Sequence, residues 1–308
     1  MRDRIGGWRS VGQAATLDNT SGGRIMTIRN PVEWFIDGLK PSSFHFLGSM
    51  HRSRQELADP VPMVRRITLS DLGDSLAKGI KDFGACRTDV LFLGLIYPMV
   101  GLILVHGALW RETLPLIFPM ISGFALLGPV AAAGLYEMSR RRELGEQPSW
   151  ADGFKVLNGP SFGPMVGLAL IMTAVFVLWL FAAMTIYNMT MGPEAPASLS
   201  AFVRDVFTTR EGRLMIGVGC GVGFLFALFV LATSVVSFPL LLDRKVTLGT
   251  AIKTSVRAFM KNQPVILTWG FIVAASLALG AIPFLLGLIV VVLVLGHATW
   301  HLYRKVLV

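Results

Sequence analysis

Polar residues thin out after Arg87, and from there on long apolar runs alternate with short polar breaks. A helix needs roughly 20 mostly apolar residues to cross ~30 Å of hydrocarbon. Runs of about that length cover Asp89–Leu109, Pro115–Tyr136, Ser161–Met189 and Leu214–Phe238. Val265–Leu279 and Pro283–Ala298 follow as a shorter pair, hinged at Gly280-Ala281-Ile282-Pro283. The apolar residues come as continuous runs rather than as one-sided stripes, which is the pattern of segments surrounded by lipid. The pattern predicts an all-α polytopic membrane protein with six transmembrane helices in three hairpins.

The breaks have a pattern of their own. Each hairpin is preceded by an amphipathic stretch that opens at a Ser or Thr: Ser70–Ile80, Ser149–Leu157 and Thr247–Val256. Ser70, Ser149 and Thr247 are expected N-caps, because a hydroxyl can accept from the orphan amides of a first turn. Leu69, Leu72, Leu76 and Ile80 fall on one helical face, and so do Leu248, Ile252, Val256 and Phe259. These stretches read as interfacial helices on the cytoplasmic side, apolar face towards the lipid. The repeat is therefore an interfacial helix followed by a hairpin.

Residues 65–308 form the six-span domain in this reading, and residues 1–64 a polar, irregular or disordered segment. Met1–Gly23 is rich in Gly, Ser and Arg and has no apolar core of a secretory signal. More protein-like sequence begins near Met26, an expected alternative start, with one short helix over Val32–Leu39.

Charge orients the spans. Arg65, Arg66, Lys78, Lys81 and Arg87 precede the first run, and Arg140, Arg141, Arg142 and Lys155 follow the second. Arg244, Lys245, Lys253, Arg257 and Lys261 follow the fourth, and Arg304 and Lys305 the sixth. The opposite side offers only Arg111, Arg204, Arg210 and Arg213. Lys and Arg collect on the cytoplasmic side, so both termini are expected there.

Of the 308 residues 53% are hydrophobic and 15% charged, which excludes a water-soluble enzyme. The net charge of +9 sits beside the spans, so membrane lipids are the expected partner, with another membrane protein or complex possible and no nucleic acid. Oligomeric state is left open. Cys86 and Cys220 belong to different regions and imply no disulfide framework. No phosphate-binding loop, nucleophile elbow or zinc-protease motif occurs.

Three polar constellations border the spans. Glu137, Arg140, Arg141, Arg142, Glu143 and Glu146 follow the second, with Glu137–Arg141 and Arg142–Glu146 spaced for helical ion pairs. Asp243 and Arg244 close the fourth, either as a capping or paired carboxylate or as part of a proton or ion path. His297 and His301 share a face of the sixth, with Trp300, Tyr303 and Arg304 beside them. Two imidazoles at this spacing could reach a metal or a haem edge, but a third ligand would have to come from Glu137, Asp243 or His106. The preferred reading is structural, with the histidines near Glu137 and Asp243; no cofactor or metal is expected.

The same segments resemble a bacterial integral membrane family, domain of unknown function 2189. The resemblance rests on Gly128-Pro129 through Gly145-Glu146, on Pro239 to Arg244, and on Leu286 to Arg304. It implies a six-span bacterial inner-membrane protein and brings no activity. Three function classes follow: a non-catalytic membrane factor that engages lipids or a partner complex, a small transporter or channel, and, more remotely, a respiratory-oxidase-associated protein. The scarcity of histidines within the spans argues against the last.

Overall fold

The computed structural model describes residues 62–149, 152–153, 161–283 and 285–308, with side chains for all of these except 87–93, 96, 97, 105 and 111. The expectations for the N-terminal segment, for its Val32–Leu39 helix and for most of Ser149–Leu157 lie outside the described residues.

The chain is helical, with no strand among the described residues. α1 runs unbroken over Leu69–Ala108, so the first interfacial stretch and the first apolar run are one helix rather than two. Its N-cap is Thr68, two residues earlier than the sequence suggested: the Asp71 carboxylate accepts from the Thr68 amide at 2.8 Å. The same lock recurs where Ser149 N–H donates to Asp152 at 2.8 Å. In the third unit Thr247 Oγ1 accepts from the Thr250 amide at 3.1 Å. The repeat is thus a Ser/Thr followed three residues later by Asp or Thr.

A 3-10 turn, η1 (Arg111–Leu116), leads into α2 (Ile117–Leu126). Gly128-Pro129 then interrupts the ladder, because proline brings no N–H, and the chain continues as α3 (Gly128–Ala131) and α4 (Ala133–Glu143). α5 spans Phe162–Thr190, α6 Leu199–Thr208 and α7 Arg210–Ser234. α8 (Ser237–Asp243) continues α7 after a break, and α9 (Leu248–Lys261) leads into α10 (Gln263–Ala281) and α11 (Gly287–Val306).

Among the described residues four segments are long and apolar enough to cross a membrane: Phe162–Thr190, Arg210–Asp243, Gln263–Ala281 and Gly287–Val306. Of the first two expected spans, shorter apolar helical stretches meet that description: Pro98–Ala108, the end of α1, and Glu112–Leu126. The proline at 129 and the turn at Leu127 divide the second.

α11 and α1 form the main packing seam. They run antiparallel, since Asp71 meets Lys305 and Gly79 meets Ala298. A Cβ on Gly79 would lie 2.7 Å from the Ala298 backbone, so the two helices touch main chain to main chain. The seam continues beyond the helices as an antiparallel bridge between Val64 and Leu307. Asn262 closes it from the side: its Oδ1 accepts from the Ile67 amide at 2.9 Å and its Nδ2 donates to the Arg65 carbonyl at 3.0 Å.

α9 buries Ala251, Thr254, Ser255 and Ala258 against the bundle and leaves Val256 and Met260 exposed. Apart from Phe259, which is also buried, the inward face is the small one, and Leu248 and Ile252 are only half-buried. Ser255 serves the break between α7 and α8. Its hydroxyl donates to the Ala232 carbonyl at 2.9 Å and accepts from the Val236 amide at 3.4 Å. Groups freed by a helix break within a membrane need such partners from a neighbour.

Candidate functional site

Polar side chains from α1, α4, α8 and α11 converge at one end of the bundle. α1 supplies a small and polar stripe, Ser75, Gly79, Asp82 and Cys86, at helical spacing and all buried. Asp82 is its centre. One of its carboxylate oxygens, Oδ2, accepts from Ser139 Oγ at 2.8 Å and meets His301 Nε2 at 2.8 Å. The other faces Arg142 Nε at 3.2 Å. Burial alone would raise its pKa, but the hydrogen bonds from His301 and Ser139 outweigh that and hold the carboxyl below its usual range.

Ser139 also sets a tautomer. Its single proton goes to Asp82, so His297 Nδ1, 2.7 Å away, must donate to the serine oxygen. That leaves His297 Nε2 as a buried acceptor without a partner among the described residues.

The second knot is on α4. Glu137, buried, accepts from Arg140 Nε at 2.8 Å and from Arg141 Nε at 2.7 Å. Arg141 reaches on to Glu146 at 3.0 Å and to Asp152 at 3.5 Å. The expected Arg142–Glu146 pair does not form. α4 stops at Glu143, Gly145 takes a left-handed φ of 80°, and the Glu146 amide turns back to the Arg141 carbonyl. Past that turn the helical spacing no longer applies, and Arg142 goes to Asp82 instead.

The third knot joins α8 to α11. Tyr303 donates to Asp243 Oδ2 at 2.6 Å, and Arg304 bridges Asp243 at 3.3 Å and Glu143 at 3.2 Å. Arg244 lies at 4.0 Å from Asp243. Lys305 spans Asp71 at 2.9 Å and Asp74 at 2.8 Å. That bond, with the Thr68 amide, draws the Asp71 pKa down to about 2.

The residues singled out in the sequence therefore meet, with altered pairings. His297 lies on Ser139, and His301 lies on Asp82 with Glu143 at 3.7 Å. No bond runs from either histidine to Glu137 or Asp243, which arginines and Tyr303 already occupy. His106 is on the far part of α1. Among the described residues no group of three or more His, Cys, Asp and Glu is placed to hold a metal ion. Asp82, Ser139 and Tyr303 were missed. The polar stripe on α1, laid against a span carrying two histidines, is the signal that would have found the first.

Helix continuity through the apolar segments and a clasp of charges at one end together make an integral membrane architecture. Residues 117–243 match the family model described as a predicted integral membrane protein, domain of unknown function 2189. The matched segment runs from α2 to α8 and contributes Glu137 to Glu143 and Asp243 to the clasp. α1 and α11, which supply Asp82 and the histidines, lie outside the matched residues. No curated protein and no solved structure matches the chain.

Proposed function

We propose that this protein is a non-catalytic six-span factor of a bacterial inner membrane, its clasp and termini on the cytoplasmic side, that engages lipids or a partner membrane complex. In this reading α1 from Asp89 onward and the η1–α2–α3 stack supply the first hairpin, each piece crossing with help from its neighbours. The observation that carries it is the closed state of the clasp. Asp82, Glu137, Glu143 and Asp243 are each held by an arginine, and Asp82 and Asp243 also by a hydroxyl, so no strong acid or base is left poised for substrate. The large cavity among the spans is apolar rather than polar, which argues against a transport path. Exposed Lys78, Lys81, Lys253 and Arg257 supply the excess positive charge that favours the cytoplasmic leaflet.

One observation favours a second reading. The Asp82–Ser139–His297 chain ends in a bare imidazole nitrogen, as the inner end of a proton path would. Reconstitution of the full chain in potassium-loaded liposomes with an internal pH dye decides between the two. Proton uptake on adding valinomycin is expected to match that of protein-free liposomes. Uptake above that level that is lost in His297→Gln would replace the first reading with the second.

A further inference from the structure

α7 and α10 touch where Gly270 abuts Leu231, and elsewhere α10 packs chiefly on α11. The gap so left, between α2, α7, α10 and α11, is a cavity of about 750 Å³. Its walls include Ile121 of α2, Leu228 of α7, Ala274 and Ala278 of α10, and Leu288 and Val292 of α11. Phe118, Phe224 and Phe271 stand at its rim, 61%, 59% and 73% exposed, so it opens sideways to whatever surrounds the helices. Its polar lining groups are few: Ser122, Ser234, the indole of Trp269, and the hydrogen-bonded Tyr136 and Thr299.

We propose that this cavity holds an acyl chain of a membrane phospholipid. Water is a poor occupant, because a buried water needs about 2–4 polar partners and the walls offer almost none. An empty space of this size would forfeit the dispersion contacts of every side chain lining it. Its volume falls within the roughly 300–1,000 Å³ of ligand pockets. From Leu267 to Ala281 the α10 wall rises about 21 Å at roughly 1.5 Å per residue. One leaflet of hydrocarbon is about 15 Å deep, so a chain in this cavity passes the midplane, as a bulk lipid tail does not. The occupant is therefore a resident lipid and not part of the surrounding annulus. Charge favours a phospholipid over an uncharged isoprenoid. Tyr136, at the inner end, lies one turn from Arg140, whose Nε and Nη2 hold Glu137 while the guanidinium stays a third exposed, so a phosphate there meets its remaining donor, Nη1.

The inference rests on the membrane reading, but its test is separate from that of the proton path: loss of the lipid leaves the liposome result unchanged, and proton uptake leaves the cavity filled. The full chain, purified in mild detergent and washed repeatedly, is weighed by native mass spectrometry with lipid extraction. About one phospholipid per chain is expected to remain. Filling the cavity with Ala227→Phe and Ala274→Phe should cut the retained phospholipid at least tenfold, while Val177→Phe, on an outer face of α5, should not. No retained lipid in the wild type, a retained isoprenoid, or equal retention in the filled variant would each overturn the proposal. Should the filled variant fail to fold, a phospholipid with a photoreactive acyl chain is crosslinked to the wild type. Label concentrated on the α7 and α10 cavity walls is expected, and label spread evenly to Phe181 and Leu178 on α5 would equally overturn it.

Discussion

Asp82 accepts from side chains on two other helices, so its loss strands an arginine as well as a serine and a histidine. Removing one partner of a buried pair costs about 3–5 kcal/mol, and Arg142 keeps some access to water, so Asp82→Asn should cost about 3 kcal/mol. The measurement is the melting temperature in mild detergent. Acid should reveal the same group. Its folded pKa lies below the unfolded value of ~3.9, so its stabilisation is present above that value and is lost as pH falls through the folded one. Asp71, drawn to about 2, adds a loss of the same sign. The melting temperature of the wild type should therefore fall between about pH 5 and pH 2, and that of Asp82→Asn should fall less. Neither carboxylate stood out in the sequence. Asp71 and Asp82 belong to a stretch that reads as an ordinary solvated helix face, and only the histidines on α11 give that face something to meet.

At the scale of elements, two neighbouring hydroxyls on α9 should behave in opposite ways. Ser255 satisfies the Ala232 carbonyl and the Val236 amide at the α7–α8 break, so Ser255→Ala leaves buried backbone groups unpaired. Such a loss costs about 1–3 kcal/mol. Thr254 Oγ1 is buried with no partner among the described residues, so Thr254→Val, of similar shape, should be neutral or stabilising. Thermal unfolding of the two variants in the same detergent checks the contrast; equal losses would contradict it. The helices themselves were largely legible from the apolar runs, because a continuous run has no alternative that satisfies its backbone in lipid. Boundaries were not. The first interfacial stretch merges with α1 because no Pro or Gly pair separates them, whereas Asn262 and Pro264 divide α9 from α10. The second apolar run breaks because Pro129 sits inside it. Thr68 carries the capping spacing to Asp71, whereas the residue three after Ser70 is Gly73, which has no side chain to reach back.

For the whole molecule, the proposed orientation makes a direct prediction. A cysteine introduced at Ser198, the N-cap of α6, should react with an impermeant maleimide added outside spheroplasts. One at Lys253 should react only after the membrane is opened, and the reverse pattern would invert the topology. The antiparallel seam between α1 and α11 bears on synthesis. Asp82 and His301 lie 219 residues apart, and Asp71 and Lys305 lie 234 apart. A chain delivered to the membrane from its N-terminus therefore holds α1 with Arg142 and Ser139 of α4 already within reach of Asp82, but without His301 and Lys305 until α11 emerges from the ribosome. A nascent chain stalled before α11 is therefore expected to be less resistant to added protease than one that has passed it, because the first seam of the fold still lacks its second half.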